Sequence, residues 1–149
     1  MKEELFKILD DWANEVIADI RQVLIDKDIN ATMRLSNSIR SEIKDDELII
    51  WAIKHSIWTD RGRGATQRDE GGKLLKAIAE WIDARNLQLN KYAVTAKIHK
   101  EGTKAFREGK HREVFDNSTF WQPRIEKLKI SMQKYYISKI NSITSELWR

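Results

Sequence analysis

Residues 36–53 read Ser-Asn-Ser-Ile-Arg-Ser-Glu-Ile-Lys-Asp-Asp-Glu-Leu-Ile-Ile-Trp-Ala-Ile, where the chain leaves its helical period. Asn37, Ile39, Ser41 and Ile43 alternate with Ser38, Arg40, Glu42 and Lys44, the two-residue period of a half-buried strand. Lys44-Asp45-Asp46-Glu47 is a turn cluster. Residues 48–53 are apolar on both faces and enriched in β-branched and aromatic side chains. They read as the second arm of a hairpin, buried on both sides. Most of the flanking sequence has a helical period. The expected fold class is therefore α+β: a small antiparallel sheet, with the hairpin as its core, packed with several helices and framed by long N- and C-terminal helices.

Outward from the hairpin, residues 3–27 predict a long amphipathic helix. Leu5, Leu9, Trp12, Val16, Ile20 and Val23 follow steps of four and three. On the other side, Leu74, Leu75, Ile78, Trp81 and Ile82 mark a helix over 73–85, with Asn86 as its stop. Asn90 is a good N-cap for a third helix that closes at Gly102. Residues 102–120 read as irregular, anchored by Phe106, Val114, Phe115 and Phe120. Pro123 fits the first turn of a last helix of about 25 residues, roughly 37 Å long at the helical rise. Its stripe runs through Ile125, Leu128, Met132, Tyr135, Tyr136, Ile140, Ile143 and Leu147. Ile130 and Ile137 fall off that stripe, which suggests a further contact, with another subunit.

The 149 residues and 17.5 kDa suit a single domain over 1–149, with a core in 1–106 and a C-terminal extension in 107–149. There is no cysteine, so disulfides, thiol nucleophiles and cysteine-ligated metals are excluded together. Apolar runs are too short to span a membrane, and charges interrupt the apolar residues of the N-terminus, which does not read as a signal peptide. A net charge of +4 and a pI near 9.3 invite a nucleic-acid reading. That mean hides a gradient: residues 1–50 sum to −5, residues 51–90 to +2 and residues 91–149 to +7. Such polarity fits either a basic face for phosphate or complementary patches that meet within the fold or between copies.

Catalytic chemistry finds little footing. His55, His99 and His111 lack the spacing of a helical metal pair. The carboxylate pairs Asp10/Asp11, Asp45/Asp46 and Asp69/Glu70 sit on a polar face, a turn and a loop, without the burial that separates the pKa values of an acid–base pair. Ser36, Ser38 and Ser41 have no nearby base. Neither an enzyme nor a cofactor is expected. A nuclease would need clustered acidic residues. Residues 59–72 form the most irregular stretch, with three arginines and four of the six glycines. They read as a loop that is mobile or ordered by a partner. Gly62-Arg63-Gly64 lacks the lysine and spacing of a phosphate loop, and acidic neighbours dilute its charge, which favours contact with protein carboxylates. Among the tryptophans, Trp12, Trp51 and Trp81 lie on expected core faces, whereas Trp58 and Trp148 suit interface anchors.

Four segments then carry a resemblance: Leu35-Ser36-Asn37-Ser38-Ile39 with the hairpin, residues 55–64 (His-Ser-Ile-Trp-Thr-Asp-Arg-Gly-Arg-Gly), residues 72–82 with their Trp81-Ile82 ending, and residues 93–106 with Gly102-Thr103 and Phe106. In these, and in their order, the chain resembles the tail-completion (head–tail joining, neck) proteins of tailed bacteriophages over about residues 32–106. Ala105 stands where that family has proline, and His55-Ser56 where it has Tyr-Ala. The resemblance does not extend past residue 106.

The resemblance implies a structural virion protein forming a ring in the neck, without catalysis. It implies contact with neighbouring copies, with the portal-side connector and with tail proteins. Non-specific contact with double-stranded DNA in the lumen would follow, with residence in the virion and, during assembly, in the host cytoplasm. The expected interface residues are Trp58, Asp60, Arg61, Gly62, Arg63, Gly64 and Arg68, with Ile130, Ile137 and Trp148 on the last helix. The alternative is a basic nucleic-acid-binding module that uses the C-terminal third.

Overall fold

A computed structural model describes residues 2–29, 31–45, 47–54, 56–66, 72–110, 112–115 and 117–147. The fold is α+β, helix-rich with one two-stranded antiparallel sheet and long helices at both ends. It divides into two compact units. One comprises Met1–Asp19, Arg40–Trp51 and Asn117–Arg149; the other comprises Ile20–Ile39 and Ala52–Asp116.

In the first unit, helix α1 (Lys2–Asp26) contributes its N-terminal part and α7 (Ser118–Leu147) runs alongside. Ala13, Val16 and Ile17 of α1 and Phe120 of α7 are buried. Glu4 pairs with Lys139 at 2.6 Å, Glu15 with Lys127 at 2.5 Å and Asp19 with Arg124 at 2.6 Å. One set of numbers rises as the other falls, so the helices are antiparallel. Trp12 Nε1 donates to the Arg124 carbonyl at 2.7 Å, which satisfies the indole of a half-buried ring. Helix α7 has 30 residues, about 45 Å at the helical rise. It starts earlier than Pro123 suggests because Asn117 caps it: its side-chain oxygen accepts from Thr119 N at 2.9 Å. Pro123 is an interior residue, not a first-turn one.

The same unit holds β1 (Arg40–Lys44) and β2 (Glu47–Trp51), paired with Arg40 opposite Trp51 and Lys44 opposite Glu47. Asp45, at φ +51°, takes the left-handed conformation that a two-residue hairpin turn demands. Strand β1 alternates as expected, with Ser41 and Ile43 half-buried between exposed neighbours. Strand β2 is not buried on both sides; Leu48, Ile49 and Ile50 are half-buried and its ends exposed. Both strands of a two-stranded sheet are edges, and among the described residues no third strand covers them. Trp51 is 45% exposed and its Nε1 donates to Glu42 at 2.9 Å, so it is a surface cross-strand partner and not a core residue.

In the second unit, Ile20, Leu24, Leu35, Ile39, Leu74, Ile82 and Val114 are buried. Residues 36–38 belong to a short helix, α2 (Arg34–Ser38), and not to the strand. A tertiary clamp holds it: Arg21 donates from Nε to the Ser36 carbonyl and from Nη2 to the Ile39 carbonyl, each at 3.1 Å. Helices α3 (Ser56–Arg61), α4 (Lys73–Ala84), α5 (Lys91–Glu101) and α6 (Lys104–Arg107) follow. Asn90 caps α5 by accepting from Tyr92 N at 2.9 Å and Ala93 N at 3.2 Å. Asn86 stops α4 at φ +50°.

Candidate functional site

The described part of the glycine-rich stretch, residues 59–66, is less irregular than its composition suggests. Trp58, Asp60 and Arg61 lie in α3, which Gly62 ends. Gly62 takes φ +75° and its amide donates to the Trp58 carbonyl at 3.0 Å, a helix stop that glycine adopts without strain. The described residues after it are strapped to the end of α5 and the segment that follows. Arg63 N donates to Thr103 Oγ1 at 2.9 Å, and Thr103 N returns a bond to the Arg63 carbonyl at 2.8 Å. Thr66 N donates to the His99 carbonyl at 2.9 Å, and its hydroxyl lies 2.5 Å from His99 Nδ1. Residues 62–66 are thus ordered by the chain itself, and the expectation of a mobile or partner-ordered loop does not hold for them.

This closure explains two glycines. A Cβ on Gly62 would lie 2.5 Å from Phe106 N and 2.7 Å from Thr103 Oγ1. A Cβ on Gly102, at φ +78°, would lie 2.7 Å from the Arg63 carbonyl. Both separations are below any tolerable contact with fixed backbone. Gly64 faces the Phe106 ring, where a Cβ would sit at 3.2 Å.

Asp60 is buried, at 4% exposure, and is no surface carboxylate. Its Oδ1 accepts from Val114 N and its Oδ2 from Phe115 N, both at 2.8 Å, while its carbonyl accepts from Arg112 N at 2.9 Å. One carboxylate therefore organises residues 112–115, which have no regular structure of their own. Asp60 thus serves the fold.

Around this clasp lies a groove of about 600 Å³. Its apolar wall is built by Trp58, Leu74, Ile78 and Trp81. Five cations border it: Arg34, Arg63, Lys73, Lys104 and Arg112. The one carboxylate among the lining residues, Glu80, is held bidentately by Arg34 at 2.6 and 2.9 Å. The Arg63 guanidinium stacks on the Trp58 ring at 5.0 Å, and its buried Nε has no hydrogen-bond partner. Lys104 approaches Glu108 only at 3.7 Å and stays 80% exposed. Trp81, expected in the core, is half-buried on this wall.

The other expected site lies on α7, in the first unit. Ile130 and Ile137 are exposed, at 45% and 58%. Tyr136, Ile140 and Ile143 are also exposed, although their spacing places them on the main stripe. Ile130, Tyr136 and Ile137 lie within the stretch of α7 that the ion pairs hold to α1, whereas Ile140 and Ile143 lie beyond Lys139, which meets Glu4 at the start of α1. Arg68 and Trp148 lie outside the described residues, as do His55, His111, Asp69 and Glu70.

The α7 charges are mostly matched. Helix α1 holds seven carboxylates and three cations; α7 holds five cations and two carboxylates. Three α7 cations pair with α1, and Lys129 meets Glu126 at 3.4 Å. Lys139 beside Glu4 holds that carboxyl below its ordinary range, and Glu4 in turn raises Lys139 above the ordinary lysine value.

No family model, curated protein or solved structure matches the chain. Among the described residues no group of three or more histidines or carboxylates is placed to hold a metal ion. No helix described is long and apolar enough to cross a membrane. What the geometry offers is surface: a cation-bordered groove and an apolar helix face. Sequence reasoning missed Arg34, Lys73, Lys104 and Arg112 as groove residues. They come from separate segments, and no local signal in the sequence joins them.

Proposed function

We propose that the chain is a structural subunit of the neck or tail connector of a tailed bacteriophage. In this reading it assembles as a ring with copies of itself and with neighbouring connector and tail proteins, without catalysis. One observation carries the reading. The Gly62-Arg63-Gly64 segment and the Gly102-to-Phe106 segment, two separate pieces of the resemblance, close on each other through Arg63–Thr103 and the Gly62–Phe106 approach. Their spacing in the sequence thus has a common structural cause. The exposed line on α7 adds a face suited to a second molecule.

The ion-pair ladder between α1 and α7 changes one supporting argument. Three pairs match α7 to α1 within the chain, so that part of the acid-to-base gradient does not argue for contact between copies. The same matching weighs against a nucleic-acid module built on the last helix. Lys134 is the only α7 cation without an ion pair among the described residues.

Electron microscopy of the purified chain, alone and mixed with the products of adjacent genes, tests the reading. Closed rings, with portal, capsid or tail genes beside this one, are expected. A chain that forms no ring in any mixture, encoded away from such genes, would overturn it.

A further inference from the structure

The groove in the second unit has cations to spare. Arg34 is neutralised by Glu80, but Lys73 and Arg112 have no side-chain ion pair among the described residues, and Lys104 has only a distant one. Cations gathered around a concave apolar wall repel one another, and an incoming carboxylate relieves that repulsion. Arginine adds planar, two-pronged recognition of carboxylates.

The chain also carries the complement. The hairpin tip is Asp45-Asp46-Glu47, three acidic residues in succession. Asp45 and Glu47 are exposed, and among the described residues neither has an ion pair. The other large acidic surface, on α1, is partly spent on α7 and is the broad flank of a helix. The tip instead projects from two strands about 4.8 Å apart, narrow enough to enter a groove of this size.

We infer that the cation-bordered groove of one copy receives the acidic hairpin tip of a second copy. The inference rests on the ring reading and names its contact. Tip and groove are different surfaces, so the contact is head-to-tail, the kind that closes into a ring by rotation. The contact is charge-driven, so it weakens as salt shortens the range of electrostatics below about 10 Å.

Sedimentation velocity of the full chain tests this directly, with circular dichroism confirming that each variant is folded. The wild type self-associates at low salt and less at high salt. A tip-reversed variant, Asp45→Lys with Glu47→Lys, and a groove-reversed variant, Lys104→Glu with Arg112→Glu, each lose at least about ten-fold in association. Mixed one to one they recover it, because each tip then meets a groove of opposite sign. A tip-reversed protein that assembles like the wild type would overturn the inference, as would a wild type monomeric at low salt. Rings that form regardless of the tip would leave the ring reading standing, whereas no ring with any neighbour would remove that reading too.

Discussion

Helix α7 and the groove rim both place cations on the surface, yet they hold them in different states. On α7 three of five cations face α1 carboxylates of the same chain, two of them at 2.6 Å. Around the groove, one of five cations is neutralised by a carboxylate of the lining. Net charge cannot separate these cases. Among the described residues, three cations of the basic third, all on α7, pair with the acidic first third, and the cations available to a partner come from segments scattered between Arg63 and Arg112.

The two units also differ in what joins their distant segments. The first uses exposed ion pairs, each of which contributes little on its own. The second uses a buried carboxylate and glycines at backbone crossings. Asp60→Ala should therefore have the largest effect, a loss of about 3–5 kcal/mol, because Val114 N and Phe115 N lose charge-assisted acceptors at once. Denaturant unfolding measures it. Gly102→Ala comes next, at about 1–3 kcal/mol, since its Cβ would meet the Arg63 carbonyl at a positive φ. Trp12→Phe keeps the ring but drops the bond to Arg124, about 1 kcal/mol in a thermal melt. Lys127→Met should cost less than about 1 kcal/mol, because both partners are more than half exposed. If Asp60→Ala proved no worse than Lys127→Met, the contrast between the units would break.

The smallest effect is in pH. The Glu4 carboxyl is lowered by its bond to Lys139, so its contribution is present above the ordinary glutamate range and is lost as pH falls through its folded value. Lys139 is raised, so its contribution is present below the ordinary lysine range and is lost as pH rises through the raised value. Glu4→Gln should flatten both limbs of the unfolding profile slightly. A profile identical to the wild type would show that this pair contributes nothing measurable.

The sequence made some of this architecture legible and hid the rest for identifiable reasons. Helices α1, α4 and α5 announce themselves through apolar period and through Asn86 and Asn90, which act locally. Helix α2 does not, because Arg21 holds its end from another segment. The hairpin was readable, but the exposure of Trp51 was not: apolar runs do not say how many layers will cover them. Pro123 marked α7 yet misplaced its start, since the Asn117 cap overrides the proline's own preference. On α7, the exposure of Ile130 and Ile137 was readable from their falling off the stripe, whereas that of Tyr136, Ile140 and Ile143, which lie on it, was not. Asp60 looked like a loop carboxylate because its partners are backbone amides more than fifty residues away, which carry no sequence signal.

The central claim is that groove cations serve assembly whereas α7 cations serve the fold. Sedimentation velocity on two double variants tests it in one experiment: Lys104→Glu with Arg112→Glu, and Lys127→Met with Lys139→Met. The account predicts that the groove variant stays folded and loses self-association, while the α7 variant melts slightly earlier and associates like the wild type. Loss of association in the α7 variant, with the groove variant unaffected, would contradict it.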